Sequence, residues 1–287
     1  MNKLIRVLLV IGLFFQTSLQ RKKFHFKIVT ADRPAPENID KGSEDAFYTS
    51  KFAFAVADGV GAWKQQGIDA SLYPKRLMET IPKIINSNPS RYYSNPRLMI
   101  ISAEHYAGDV TGSSTLLVIT MDNKNRELRS AHIGNSGYII LRKDLEHEPD
   151  PDAHYEVIFE SQEQIHEFGL PFQLGTNGDE PGNCIEHTHD IQAGDLVIGG
   201  SDGLFDNLYA DKIVSIVNRI KKTKGMRLQE MADAILEEGY KWSLDQNYHS
   251  PYAKKSMEND IDYSGGKADD ITVIMALIER NYEEDNY

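Results

Sequence analysis

The chain has 287 residues, of which 40% are apolar, so it can bury a sizeable core in one large domain or two small ones and does not read as a disordered protein. Its 31 basic and 43 acidic residues give a formal net charge of −12, which argues against a nucleic-acid partner. Cys184 is the only cysteine, so no internal disulfide can form, and its expected role is inert packing.

Residues 1–30 differ in composition from the rest of the chain. Lys3 and Arg6 precede an apolar run at residues 7–15, and the first acidic residue is Asp32. This run is shorter than the about 20 apolar residues that span a bilayer. We therefore predict a targeting segment, either a transit peptide or a signal peptide, followed by a single domain at residues 31–287.

The strand pattern is the main signal for the fold beyond that segment. Apolar and β-branched runs predict strands at residues 52–57, 115–121, 128–133, 137–142, 155–159, 195–199 and 271–278. Consecutive strands with helices in pairs favour an α+β fold, in which antiparallel sheets pack on each other with helices outside.

Four helices are predicted between the strands. Ser71 and Asn95 stand where N-caps are expected for the first two. The other two are predicted at residues 211–220 and 228–238, and Gly239 is predicted to be the C-cap of the last one.

Acidic residues stand at the ends of three predicted strands. An Asp-Gly pair begins at Asp58 and again at Asp202, each directly after a strand, and Asp269 begins an Asp-Asp pair directly before another. One such pair is more typical of a turn than of a site. Together, however, carboxylates without cysteine or paired histidine favour Mg²⁺ or Mn²⁺. Two such cations can activate water and clamp phosphate oxygens, which suits phosphoester hydrolysis. His187 and His189 have a generic spacing and are interpreted as surface residues.

An ordered series of motifs resembles the metal-dependent serine/threonine protein phosphatases of the 2C type. The motifs are SEDAF (43–47), VADGVGAW (56–63), GSST (112–115), AHIGNSGYIILR (131–142), SDGLFDN (201–207) and GKADDITV (266–273). Further matches at PFQL (171–174) and NYHSPYA (247–253) resemble the branch that includes mitochondrial members. One Asp-Gly pair is weak evidence, but the ordered set is highly specific.

The resemblance implies a fold, a reaction and a set of ligands. The fold would be a four-layer α-β-β-α sandwich, two antiparallel sheets flanked by helices. The reaction would be hydrolysis of phosphoserine and phosphothreonine in proteins by a hydroxide bridging two Mg²⁺ or Mn²⁺ ions per domain. The implied metal ligands are Asp58 (bridging), the Gly59 carbonyl, Glu44 or its neighbour Asp45 for the second ion, and Asp202 and Asp269 for the first. Asp58, Asp202 and Asp269 would be the catalytic residues.

Two positions depart from the family pattern. Val60 stands where many members have a histidine that is a candidate general acid, and water could serve in its place. Asn135 stands where the family has an aspartate that helps Asp202 hold a third, looser metal. An amide brings no negative charge, so a weakened third site is expected. Asp270 is expected to hold local structure rather than a metal.

The alternative function is a weakly active or inactive phosphatase-like module that binds phosphoproteins. The implied partners are phosphorylated proteins, with no nucleic acid, membrane contact only through residues 1–30 if they are retained, and a monomer as the default state. The family branch favours the mitochondrial matrix, whereas the apolar N-terminal run leaves the secretory pathway or membrane anchoring open.

Overall fold

The structure is a computed structural model, and it describes residues 23–143 and 153–281. Most of the predicted targeting segment, residues 1–22, lies outside the described residues. Within the two described ranges, no helix combines the length and the apolar character that crossing a membrane requires.

Two five-stranded sheets form the centre of the molecule, and all neighbouring strands in them are antiparallel. The first sheet has the order β1 (Lys23–Arg33), β14 (Ile271–Asn281), β13 (Leu196–Gly200), β7 (Gly137–Lys143) and β8 (Tyr155–Glu160). The second has the order β12 (Ile185–Asp190), β6 (Glu127–Ile133), β5 (Leu116–Asp122), β3 (Ala53–Asp58) and β2 (Asp45–Thr49). Two short pairs complete the strands: β4 (Ser113–Ser114) with β11 (Leu174–Gly175), and β9 (Ile165–Glu167) with β10 (Leu170–Pro171).

The helices lie in two groups. Those between β3 and β4 are α1 (Leu72–Ser87), α2 (Pro89–Tyr93) and α3 (Pro96–Ala107). Those between β13 and β14 are α4 (Asp202–Phe205), α5 (Ala210–Lys224), α6 (Leu228–Ser243) and α7 (Pro251–Glu258). Short 3₁₀ helices span Pro36–Asn38, Gly61–Gln66 and Pro181–Asn183.

Three apolar cores separate four layers. Successive residues of β7 point to opposite faces, so Ile139 packs towards α5 and α6 while Ile140 packs between the two sheets. On the far side, α1 and α3 pack on the second sheet, for example through Leu77 and Met99. The predicted α+β class and the four-layer α-β-β-α sandwich are therefore confirmed. Each predicted strand also corresponds to an observed one, to within about three residues at its ends.

The first strand changes the predicted domain boundary. β1 begins at Lys23 and pairs with β14 along its whole length, from Lys23 opposite Asn281 to Arg33 opposite Ile271. Phe24 and Phe26 are buried between the sheets. The predicted boundary at residue 31 thus falls inside β1, and this strand includes residues of the predicted targeting segment.

Of the three predicted helix caps, one is confirmed, one lacks its capping hydrogen bond and one is wrong. Asn95 is confirmed as an N-cap, because its Oδ1 accepts a hydrogen bond from the Leu98 amide at 2.9 Å. Ser71 occupies the N-cap position of α1, but its hydroxyl makes no capping bond and instead accepts from the Lys75 ammonium at 2.9 Å. The prediction for Gly239 is wrong, since α6 continues to Ser243 and the glycine lies buried in its interior.

Candidate metal centre

The acidic residues of the predicted site meet at one end of the sandwich. Asp58 is the last residue of β3 and lies opposite Asp45, the first residue of β2. Asp202 begins α4 two residues after the end of β13, and Asp269 comes two residues before β14. Glu44, Asp58, Asp202 and Asp269 line one cavity of about 410 Å³. The topology therefore brings together strand ends that are far apart in the sequence.

Glu44 and Asp45 differ in what their carboxylates face. Glu44 lines the cavity, and its Oε1 lies 3.0 Å from the Lys64 ammonium. Asp45 is 8% exposed, and its Oδ2 accepts a hydrogen bond from the Thr272 hydroxyl at 2.7 Å, across to the other sheet. Burial raises the pKa of the Asp45 carboxyl well above its ordinary value. Of the two candidates for the second metal, Glu44 is thus the one placed at the cavity wall.

Gly59 is required by close packing. A Cβ at this position would lie 2.3 Å from the Ala70 carbonyl oxygen and 3.0 Å from that of Glu44. Its amide donates to the Glu44 carbonyl at 3.3 Å. These contacts hold the turn after Asp58 against the start of β2, so the backbone next to the cavity is fixed.

Burial and mutual repulsion dominate the electrostatics of the cluster. Burial, together with the charges of Asp45, Asp202 and Asp269, raises the pKa of Asp58 well above its ordinary value. Partial burial and the charge of Asp202 raise the pKa of Asp269 to about 7. Burial alone would also raise the pKa of Asp202, but the Lys267 ammonium outweighs it and lowers that pKa. The carboxylates together carry more negative charge than their surroundings neutralise.

Lysines in the centre were not identified from the sequence. The Lys267 ammonium lies 2.7 Å from Asp202 Oδ2, 2.9 Å from Asp206 Oδ2 and 3.0 Å from Asp269 Oδ2. Lys255 lies 3.1 Å from Asp206 Oδ1 and also pairs with Glu163. Lys267 and Asp206 stand inside the quoted motifs GKADDITV and SDGLFDN, so a signal existed for them. Lys255 and Glu163 are 92 residues apart, and no motif in the sequence indicates that they pair.

Asn135 lies in the hairpin between β6 and β7 and contacts the cluster directly. Its Nδ2 donates to Asp202 Oδ2 at 2.9 Å. Its Oδ1 is buried and has no hydrogen-bond partner in the described structure. The amide thus lies on the same Asp202 oxygen as Lys267.

The donor atoms fit a hard divalent cation. Asp202 Oδ1 and Asn135 Oδ1 are buried oxygens without hydrogen-bond partners, and both residues line the cavity. Such oxygens are the ligands that Mg²⁺ and Mn²⁺ prefer, and leaving them unpaired is costly. Among the described residues, no three acidic, histidine or cysteine side chains are grouped closely enough to hold an ion. The donor chemistry of the site therefore fits Mg²⁺ or Mn²⁺, and the Lys267 ammonium lies between the Asp202 and Asp269 carboxylates.

The histidines of β12 were predicted incorrectly to be surface residues. His187 and His189 are half-buried and pack against Phe159 of β8. His189 Nε2 lies 2.7 Å from the Tyr138 hydroxyl, and burial lowers the pKa of His189 to about 4. They form part of the contact between the two sheets, away from the carboxylates.

Carboxylates that converge from both sheets on one cavity suit the class of divalent-metal hydrolases. Comparison with known proteins shows which family of such hydrolases the chain resembles. The family model of Stage II sporulation protein E (SpoIIE) matches residues 49–278. The protein phosphatase PTC7 homolog fig of Drosophila grimshawi is 32% identical over 268 residues, covering 86% of this chain and 83% of the relative.

Solved structures agree with this assignment. The photosystem II phosphatase PBCP superposes with a TM-score of 0.78 at 27% identity, covering 88% of this chain and 99% of that one. The catalytic domain of the serine/threonine phosphatase PstP, solved with two manganese ions, shares the fold with a TM-score of 0.57 at 15% identity, covering 89% and 99%. The chain belongs to the family of 2C-type protein phosphatases.

Proposed function

We propose that the chain is a metal-dependent protein serine/threonine phosphatase whose centre is built from Asp58, Asp202, Asp269, Glu44 and the Gly59 carbonyl. The observation that carries the proposal is the convergence of these carboxylates from both sheets on one cavity. The buried oxygen of Asp202 that has no hydrogen-bond partner supports it. Membership of the 2C-type family supplies the reaction class.

Two Mg²⁺ or Mn²⁺ ions, when bound, would supply an activated water and neutralise the charge of the phosphate. The residues of the chain would hold the ions and attract the phosphate group. Asp58 stands between the two groups of ligands, next to Glu44 on one sheet and Asp202 on the other. Lys255 and Lys267 line the same cavity, so their positive charge favours entry of a phosphate group.

The rim of the cavity supports a protein substrate. Ile165, Phe168, Leu170 and Pro171 line it from the β9–β10 hairpin, and Tyr252 lines it from α7. Ile165 and Leu170 are 38% and 42% exposed. Apolar side chains around a charged cavity suit the residues that flank a phosphoserine or phosphothreonine in a polypeptide.

The test is phosphate release from a phosphothreonine peptide by the purified chain, titrated with Mn²⁺ and with Mg²⁺. We expect turnover that requires the metal and is lost in Asp58→Ala and Asp202→Ala. Asp233→Ala, an exposed carboxylate on α6, is the matched control and should keep full activity. Peptide binding without release at any metal concentration would instead support the phosphoprotein-binding module.

We infer the mitochondrial matrix as the location. The basic residues and the lack of acids in residues 1–22 support this, as does the resemblance to the mitochondrial branch of the family. Because β1 begins at Lys23, the fusion to a fluorescent reporter should end at residue 22. Mitochondrial fluorescence is expected, and entry of the reporter into the secretory pathway would overturn the assignment.

We also infer a monomer that binds no nucleic acid, with membrane contact limited to residues 1–22. Light scattering after size exclusion should give about one chain mass, 32.4 kDa. A stable dimer, or retention on single-stranded DNA at low salt, would contradict the corresponding inference.

A further inference from the structure

A second cavity, of about 740 Å³, adjoins the cavity of the metal centre, and the proposed reaction makes no use of it. Asn135, Glu163 and Lys255 line both cavities, so the two are direct neighbours. The described lining of the second one includes none of the proposed metal ligands. Its volume lies in the range of about 300–1,000 Å³ that is typical of ligand sites. This adjoining cavity is lined by residues 135–138, 160–163 and 208–211 with Phe205, Pro251 and Lys255.

The walls of the adjoining cavity belong to three packed parts of the fold. One wall is the start of β7 with the end of β8, the second is the connection from α4 to α5, and α7 contributes the third. The Tyr138 amide donates to Ser161 Oγ at 2.9 Å, which holds the segment after β8 against β7. Gly137 permits this close approach, because a Cβ there would lie 2.9 Å from Ser161 Oγ. The shape of the cavity is therefore set by the fold.

Two carboxylates in this lining are not neutralised by the chain. Glu160 at the end of β8 and Asp211 in the first turn of α5 are both exposed, and they stand on different walls. Within the described ranges, neither forms an ion pair with a lysine, arginine or histidine. Lys255 is the only base in the described lining, and it pairs with Glu163 and lies 3.1 Å from Asp206 Oδ1. A positive charge that neutralises Glu160 and Asp211 must come from a ligand.

Apolar walls next to unpaired carboxylates match a basic side chain. Arginine and lysine combine an apolar stem with a charged end. The stem would pack on Phe205 and Leu208, and the charged end would reach Glu160 and Asp211. Tyr209 lines the same wall, and a guanidinium also stacks on aromatic rings. An apolar ligand would leave both carboxylates unpaired, and an acidic one would be repelled.

We propose that the adjoining cavity is a specificity subsite that binds an arginine or lysine side chain of the phosphorylated protein substrate. The proposal rests on the proposed function, which places the phosphate in the cavity of the metal centre. An extended chain advances about 3.3 Å per residue, so three residues span about 10 Å. Because the two cavities share lining side chains, we expect the basic residue within three positions of the phosphorylated one.

The test compares phosphothreonine peptides that differ only in carrying arginine, alanine or glutamate at one of the three positions on either side. The full chain hydrolyses them in Mn²⁺, and kcat/KM is measured for each. Exposed ion pairs are individually weak, so two of them with the packed stem should favour the best arginine peptide over its alanine counterpart on the order of 10-fold. Glutamate should be worse than alanine. In Glu160→Gln/Asp211→Asn the ratio of arginine to alanine should fall to about 2 or less.

A second readout does not depend on turnover. Fluorescence anisotropy of labelled peptides that carry a phosphonate in place of the phosphate should show the same arginine preference in the parent and its loss in the double variant. Asp211 also stabilises the first turn of α5 by its charge, so urea unfolding of each variant shows which of them are folded. Glu160→Gln alone, at a strand end, should lower the ratio without this complication.

Glu156→Gln is the matched control, because Glu156 is exposed on the same strand and lies outside the described lining. It removes the same charge and should keep the parent's ratio and activity. A parent ratio near 1, an unchanged ratio in the folded double variant, or an equal fall in Glu156→Gln would each overturn the subsite. No hydrolysis of any peptide by the folded parent would contradict the proposed function instead, and the anisotropy measurement then decides whether the cavity selects arginine.

Discussion

Asp270 holds together the segment that carries Glu44, and its removal should be costly. Asp270 is 2% exposed and lies directly before β14. Its Oδ1 accepts from the Ala35 amide at 2.6 Å and its Oδ2 from the Glu44 amide at 2.7 Å, while Asn38 Nδ2 donates to both oxygens at 3.1 and 3.0 Å. Two buried donors, on Ala35 and Asn38, and the part-buried Glu44 amide thus depend on one side chain that precedes the strand.

The expected loss follows from these bonds. Asp270→Ala removes a charged acceptor from the Ala35, Asn38 and Glu44 donors, and each buried donor left without a partner costs about 1–3 kcal/mol. Water will replace some of them, so we expect the free energy of unfolding to fall by about 3–5 kcal/mol. Asp270→Asn keeps the shape and one acceptor oxygen, but its amide group faces another donor, and a loss of about 1–3 kcal/mol is expected.

The assay is urea unfolding in EDTA, combined with the Mn²⁺ concentration that gives half-maximal phosphate release. In Asp270→Asn one of the two acceptor oxygens is lost, so the loop that carries Glu44 is held less firmly and this variant should need more Mn²⁺ than the parent. Asp233→Ala, exposed on α6, should change neither quantity. The reasoning is refuted if Asp270→Ala costs less than about 1 kcal/mol, or if Asp270→Asn is destabilised with an unchanged Mn²⁺ requirement.

Three further changes test other parts of the site and fold. In EDTA, Asp58→Asn should be more stable than the parent, by a margin that grows as the pH rises above about 4, because burial raises the folded-state pKa of Asp58 and the parent loses stability as the pH rises. A margin in urea midpoints that shrinks over this range would contradict the raised pKa. Gly59→Ala should cost about 1–3 kcal/mol, because its Cβ overlaps the Ala70 carbonyl, and an unchanged melting temperature would show that the turn can shift. Cys184, whose pKa burial raises to about 11, should react with iodoacetamide at pH 8 on the order of 100-fold more slowly in the native chain than in urea, and equal rates would contradict its inert packing.

The strands could be predicted from the sequence because most of them are buried on both faces. Every residue of β5 and β13 is buried; β13 is a continuous run of apolar and small residues, and β5 is apolar except at Thr120 and Asp122, so both are recognised without knowledge of their partners. β1 was missed for the opposite reason. Phe24 and Phe26 alternate with more exposed residues, and the strand follows directly on a segment of targeting character. Its assignment depends on pairing with β14, almost the whole length of the chain away.

The carboxylates of the centre could be predicted because each stands in a motif next to a strand end. Their partners could not, because those contacts are made only in the folded chain. The pair of Lys255 with Glu163 joins α7 to the loop after β8, and neither residue belongs to a local pattern. Asp45 shows the same limit. Its position next to Glu44 makes it an equal candidate in the sequence, whereas the hydrogen bond from Thr272 directs its carboxylate away from the cavity.

The distribution of lysines around the cluster explains which carboxylate needs the metals most. Lys64 pairs with Glu44 on one side, and Lys267 pairs with Asp202 and Asp269 on the other. Within the described ranges, Asp58 between them forms no ion pair with any lysine, arginine or histidine, and burial and neighbouring carboxylates raise its pKa. The lysines thus neutralise the flanks of the cluster and leave its centre uncompensated. Divalent ions bound there would neutralise Asp58 from both sides, so metal binding and stability of the folded chain should be coupled through this one residue.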